Sequence, residues 1–489
     1  VERENMVNYL PEQLSVIKSR ENSIRVHAGA GTGKTTTLIG YANERPRERL
    51  LYLAFNKSIQ MEASERFGKN TRCRTPHSIA YGAYGALYKE EDKLSNNMIR
   101  SSELAREMKI SVPRAAFAIE TLKAFLYSTD QDVSVEHAFK AKLSPVLHED
   151  AVAIAQQVWK WMYDLRKKNI PMTHDGYLKM FQLSGKAIQG YDRVLLDEAQ
   201  DANPVIANLV SRFNGGVVLV GDQNQAIYGF RGAEDAMSAF EHAAPYQLAT
   251  SFRFGPAVAD IANVIIEHAI GDSMRIVGRG KETTIDEPVN RFADSSAFIA
   301  RTNGRLIDEA MSYAMRGRSV PVVGGVDSLK LSVLMDVYHL ENGNFNSISA
   351  PWVKQFKSFK EMVDMADQVD DVEIKALVNV VKQYGDGTPE AVDMLYKHVQ
   401  AYTPSTKNQC VLTTAHKSKG LEFDHVSIAD DFHLLCEDDI DRQEANLLYV
   451  AVTRAKKNLV LNSDIRTFVS RFRNESATDP AKNKMRLAS

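Results

Sequence analysis

The sequence predicts an α/β fold with parallel sheets, organised as two nucleotide-domain-like units. Three observations predict it. Residues 23–28, SIRVHA, form a short β-rich run that leads at once into Ala28-Gly29-Ala30-Gly31-Thr32-Gly33-Lys34-Thr35, after which TTLIGYANE reads as a helix. RVLLDEAQD, 193–201, puts two adjacent acids at the end of an apolar strand. The C-terminal half brings a second set, the polar loop AHKSKGLEF leading into DHVSIADDF, then NLLYVAVTRAKKNLVL as an amphipathic helix, a basic turn and a strand.

The first element is a phosphate loop. Successive backbone N–H groups and the helix N-terminus would wrap a β-phosphate. The nucleotide contacts fall on Gly29, Gly31, Thr32, Gly33, Lys34, Thr35 and Thr36. Lys34 would reach the β- and γ-phosphates, and Thr35 would place its hydroxyl on Mg²⁺. The strict pattern wants glycine at Ala28; alanine tolerates backbone with negative φ, so the loop survives.

In the second element, Asp197 would hold the magnesium and Glu198 would orient and deprotonate the attacking water. A third element, VVLVGDQNQAIYGFRGA over 217–233, has a strand at 217–220 and then Gln225, a sensor candidate for the γ-phosphate or the lytic water, with Asp222 in support. Arg253, in SFRF, and Arg454, at the polar end of the helix in 446–461, would add positive charge for the transition state. Phe230 beside Arg231 suits base stacking and a phosphate grip.

Bulk properties set the frame. At 489 residues the chain exceeds one ordinary core, and two to four domains are expected. Hydrophobic content of 44% and charged content of 25% describe an ordinary globular chain, so long disordered stretches are not expected. The net charge of −2 does not advertise a nucleic-acid binder, but a local groove matters more than the total. Cysteines 73, 410 and 436 are too far apart for a metal cluster or a disulfide framework, which fits a reducing compartment. VERENMVNYLPEQ lacks a signal pattern and there is no apolar run of membrane-spanning length, so a cytosolic or nuclear location is expected.

Together, DEAQD, GDQNQAIYGFRGA, HKSKGLEF and LLYVAVTRAKKNL resemble the superfamily 1 helicases of the UvrD, Rep and PcrA branch. LYLAFNKSIQMEASERF, RTPHSIAYGAYG, QYG at 383–385 and GLEFDHVSIADDF resemble the F-box DNA helicase group, although no F-box segment is visible. The resemblance implies two RecA-like motor domains that use ATP and Mg²⁺ and act on single-stranded DNA and its junctions with duplex. It also implies 3′–5′ movement and possible contacts with recombination or replication proteins. Gln13 looks like the adenine-reading glutamine, Phe252 like an adenine-stacking aromatic, Arg253 and Arg454 like the γ-phosphate arginines, and Glu422 like an acid linking the nucleotide and DNA sites. The implied DNA contacts are Phe55, Asn56, Thr75, His77, Phe230, Arg231, His416 and Lys417. The compact form and missing F-box give the expectation of a bacterial or phage origin, with a cytoplasmic location; a monomer is expected, with the oligomeric state left open.

The expected boundaries are 1–85 with 188–250 for the first motor domain, 86–187 for a helical accessory insert, 251–330 with 400–475 for the second motor domain, 331–399 for a reduced accessory insert, and a frayed tail at 476–489. An aromatic and basic cluster, Trp159, Trp161, Arg166, Lys167 and Lys168, falls in the first insert. Two rival functions remain open at this point. One is a translocase that removes bound proteins or recombination filaments with little unwinding. The other is an ATP-gated nucleic-acid binding module. RNA as the track also stays open.

Overall fold

In the computed structural model, which describes residues 8–140, 148–229, 236–288, 296–350, 352–354, 356–368, 372–406, 409–432 and 440–478, the phosphate-loop strand lies within a six-stranded sheet. The chain forms two compact units, Val1–Gly29 with Gly33–Leu248 and Ala30–Thr32 with Ala249–Ser489.

The sheet of the first unit contains β1 (Ser23–Ala28), β2 (Leu50–Leu53), β3 (Thr71–Arg74), β4 (Arg193–Leu196), β5 (Gly216–Gly221) and β6 (Ala244–Leu248). Its spatial order is β3-β2-β4-β5-β1-β6, all parallel. Both faces are covered, as parallel strands require. Alternate side chains divide between two cores. Ile24, Val26, Tyr52, Leu195 and Val218 face one; Leu51, Leu53, Val194, Leu196 and Leu219 face the other.

Between β3 and β4 lies a helical module. Its longest helices, Val112–Tyr127 and His148–Tyr163, pack Leu122, Phe125, Ile154 and Val158 into a separate core. Trp159 is partly buried there, edge-on to Phe125 and Tyr163. The basic cluster is paired with acids. Arg166 bonds Asp164, Lys168 bonds Glu91, and Lys167 lies over the Trp161 ring.

Lys93 is, with Lys179, a buried cation of this module, 2% exposed. Its ammonium donates to the carbonyls of Trp161 and Asp164 at 2.8 and 2.9 Å, and to that of Lys167, around the end of the helix His148–Tyr163. Burial holds its pKa down at about 8. An unfolded lysine titrates near ~10.4. Between these values the unfolded chain keeps a proton that the folded chain has lost, so the stability contributed by Lys93 rises with pH across that window. Chemical denaturation of wild type and Lys93→Met at pH 7 and pH 10 should show the difference moving in favour of wild type at the higher pH.

The second unit holds a seven-stranded sheet: β7 (Thr284–Ile285), β8 (Ser296–Ala300), β9 (Val320–Val322), β10 (Val399–Ala401), β11 (Cys410–Thr414), β12 (Phe423–Ile428) and β13 (Ala455–Val460). The order is β7-β13-β12-β8-β11-β9-β10, again all parallel. The segment 331–399 contributes Leu334, Val337, Leu377, Val381 and Leu395 to the same core as Phe298, Val320 and Leu412 of the sheet. It therefore packs as a layer on this sheet.

Some local expectations change. The expected polar loop 415–423 begins with a turn of helix, Ala415–Ser418, capped by Thr414. The expected amphipathic helix is Arg442–Val452, and its residues 445–452 are all buried. Arg454 lies beyond that helix, past the C-cap Thr453. Residues 476–478 still belong to a helix, Ser463–Thr478, and 479–489 lie outside the described residues. No helix among the described residues is long and apolar enough to cross a membrane.

Candidate nucleotide site and nucleic-acid contacts

The phosphate loop follows β1 and enters the helix Lys34–Asn43. Gly31 and Gly33 have φ of 75° and 78°, the left-handed region that glycine occupies without penalty. Ala28 is still in the sheet, in register with Leu248, and the next N–H, of Gly29, donates to the Leu248 carbonyl at 3.0 Å. The extended strand explains why alanine serves where the strict pattern has glycine.

The groups expected to hold metal and water converge at the C-terminal ends of β4 and β5. Thr35 Oγ1 donates to Asp197 Oδ2 at 3.1 Å, and the Glu198 N–H donates to Oδ1 at 2.9 Å. Glu198 has φ 50° and ψ 45°, an uncommon conformation for a residue with a Cβ, of the kind stored at functional sites. Gln200 Nε2 donates to Glu198 Oε2 at 2.7 Å, while Gln200 Oε1 accepts the Asp222 N–H at 3.0 Å. Asp222 Oδ2 in turn accepts from Gln225 Nε2 at 2.7 Å. One polar chain thus joins the expected base, Glu198, to the expected sensor, Gln225, through two residues of which sequence reasoning named one. The signal for Gln200 was its place inside DEAQD.

Burial raises the pKa of Asp197 and the neighbouring Glu198 raises it further, against the Tyr52 hydrogen bond and the positive charge of Lys34. Among the described residues no group of three or more His, Cys, Asp or Glu could cage a metal. Magnesium does not need such a cage, since one carboxylate, a hydroxyl and phosphate oxygens suffice. Thr35 and Asp197 fit that donor set.

Gln13 is buried on the short helix Pro11–Ile17, and its Oε1 accepts the Leu10 N–H at 3.0 Å, which fixes the amide. Arg45 ties this helix down by donating to the carbonyls of Ile17 and Tyr41, both at 2.9 Å, and to that of Ser19. Thr36 Oγ1 accepts from Arg66 at 3.2 Å.

In the second unit, Arg253 Nε donates to Glu422 Oε1 at 2.7 Å and its Nη1 to the Thr453 carbonyl at 3.1 Å. Glu422, whose role the motif leaves open, orients Arg253. Arg454 is 1% exposed; its guanidinium donates to the carbonyls of Val450 and Leu421 and to Thr453 Oγ1. Phe252 is 46% exposed, so its ring face is available for stacking.

The expected nucleic-acid residues divide by what they touch. Phe55 is 37% exposed and its ring lies parallel to Tyr228, 5.8 Å between centroids. Tyr228 is not among the residues expected from the sequence, and the structure adds it through this contact. Asn56 caps the helix Lys57–Arg66 and Thr75 caps Pro76–Ala80. His77 Nε2 lies 3.0 Å from Asp175 Oδ1. Lys417 Nζ donates to the Ser328 carbonyl at 2.7 Å, and burial, then Lys330, holds its pKa below the usual lysine range; His416 is half-buried. Phe230 and Arg231 lie outside the described residues.

Comparison with known proteins adds the family. Residues 180–245 match the UvrD/REP helicase N-terminal domain, and 409–462 match the UvrD-like helicase C-terminal domain. The chain is 32% identical to F-box DNA helicase 1 of Gallus gallus, over 95% of this chain and 49% of that protein. It is 30% identical to F-box DNA helicase protein 1 of Schizosaccharomyces pombe, over 93% of this chain and 57% of that one. DNA helicase IV of Escherichia coli is 24% identical over 63% of this chain. The chain thus spans about half the length of the curated relatives it matches. The two matched domains coincide with DEAQD and the Gln225 loop in the first unit, and with Glu422 and Arg454 in the second: the chain carries the N- and C-terminal domains of the UvrD-like helicases.

Proposed function

We propose that this chain is an ATP-dependent DNA helicase that translocates 3′–5′ along single-stranded DNA and couples hydrolysis to strand separation. The observation that carries the reading is the hydrogen-bonded chain Thr35–Asp197–Glu198–Gln200–Asp222–Gln225 beside the phosphate loop. In this reading Lys34 and the loop amides bind the triphosphate. Glu198, held by Gln200, takes the proton of the attacking water, and Gln225 orients that water. Magnesium held by Thr35 and Asp197 would supply positive charge to the phosphate oxygens. Arg253 and Arg454 would neutralise charge that develops on the γ-phosphate. Gln13 and Phe252 would select adenine.

ATPase assays with and without single-stranded DNA, alongside strand displacement on duplexes with a 3′ tail, a 5′ tail or none, test this reading. DNA-stimulated turnover with displacement from the 3′ tail alone is expected. DNA-stimulated turnover without displacement favours the protein-removing translocase, and turnover indifferent to DNA sinks the motor.

Phe55 and Tyr228 offer base-stacking faces in this proposal. Phe55→Ala should weaken single-strand binding by about 10- to 100-fold, the range expected for one stacked base, with ATP binding unchanged. Fluorescence anisotropy of labelled oligonucleotide and nucleotide titration would check both halves of that statement.

A further inference from the structure

Tyr52 lies in the segment LYLAF but carries no role there, yet it touches the metal carboxylate. It sits on β2 with 0% exposure, opposite Leu195 of β4, and Leu195 is two residues before Asp197. Its ring packs at 4.8 Å on Phe67. Its phenol donates to Asp197 Oδ2 at 2.7 Å.

A carboxylate has about four lone-pair directions. On Asp197, Oδ2 accepts two donors, Thr35 Oγ1 at 3.1 Å and Tyr52 at 2.7 Å, and Oδ1 accepts the Glu198 N–H at 2.9 Å. The direction left open lies on Oδ1. Thr35 is itself expected to face a metal. That leaves Tyr52 and the Glu198 amide as the two groups that anchor the carboxylate independently of the metal. The sheet register fixes the reach of Tyr52, so the anchor is as rigid as the β2–β4 pair.

We propose that Tyr52 is a positioning residue for the magnesium site. It holds Asp197 in one orientation, with Oδ1 presented, and so sets the magnesium concentration at which the chain binds nucleotide. This rests on the nucleotide-site reading given above. Groups that orient a metal ligand typically change metal affinity by about 10- to 100-fold when removed.

The test uses the full chain, a fluorescent non-hydrolysable ATP analogue and a magnesium series that starts in EDTA. Tyr52→Phe keeps the ring that fills the core and removes the donor. Its magnesium midpoint for analogue binding should rise by about tenfold, with affinity in EDTA and Tm near those of wild type. Phe67→Leu disturbs the same packing without touching the hydroxyl; it should lower Tm and leave the midpoint in place. An unmoved midpoint in Tyr52→Phe, or an equal rise in Phe67→Leu, overturns the proposal. Wild-type protein whose analogue binding ignores magnesium would fail the nucleotide-site reading itself, and Tyr52 with it.

Discussion

Glu198→Gln should bind nucleotide as wild type does and turn it over about 10²- to 10⁴-fold more slowly, the span that a positioned general base contributes. The substitution is nearly isosteric. A glutamine oxygen still accepts the hydrogen bond from Gln200 Nε2, so the polar chain toward Gln225 can persist while the proton acceptor is lost. Steady-state ATPase and analogue titration together separate the two effects. Near-normal kcat in this variant would remove Glu198 from water activation. Loss of nucleotide affinity in parallel with kcat would mean instead that the strained backbone at 198 had relaxed.

Arg454→Ala should injure both stability and catalysis. The guanidinium is buried and donates to the carbonyls of Val450 and Leu421 at 2.8 and 3.4 Å and to Thr453 Oγ1 at 3.1 Å. Removing it takes a donor from the Leu421 carbonyl and from Thr453 Oγ1, although the Val450 carbonyl keeps the Thr453 hydroxyl, and leaves a void, a loss of about 3 kcal/mol. For a unit of this size that lowers Tm by about 6–12 °C. If the same group also meets charge in the transition state, kcat falls by about 10²- to 10³-fold at temperatures well below the new Tm. Arg454→Lys separates the roles, because an ammonium keeps the charge and lacks the planar fork. Calorimetry and ATPase on both variants give the answer. A lowered Tm with unchanged kcat would make Arg454 purely structural.

How much of this was legible in the sequence depended on what each residue answers to. The strand β1 was readable to the residue, and the helix after the loop to within two residues, because backbone chemistry dictates them. Glycines at 31 and 33 mark positive φ, and the strand burial of Ala28 frees that position from the rule. Asp197, Glu198 and Gln225 were singled out only because the phosphate loop lies upstream, since acid pairs after strands are common; the structure joins all three in one hydrogen-bonded chain. Arg454 was misplaced. Its helix was read as amphipathic with Arg454 at the polar end, whereas 445–452 are all buried and Arg454 lies past the C-cap Thr453. Asn56 and Thr75 carry a second meaning that spacing reveals only with the structure, since each caps a helix. Tyr52, Tyr228 and the Arg253–Glu422 pair depend on contacts between residues far apart in the chain. Nothing local marks them.

The strand order of the first sheet has a consequence for how the chain reaches its final form. Of the six strands of this sheet β1 leaves the ribosome first, but its two neighbours are β5 and β6, so one partner arrives with residues 216–221 and the other only with residue 248. β2 likewise waits for β4, across the whole helical module. Such distant pairings close slowly, because the intervening chain must first be ordered. The nascent phosphate loop therefore has no neighbouring strand of its sheet until residues 216–248 have been made. Fragments that stop before β6 should leave it unformed, and nucleotide capture during refolding would report the last step of sheet assembly.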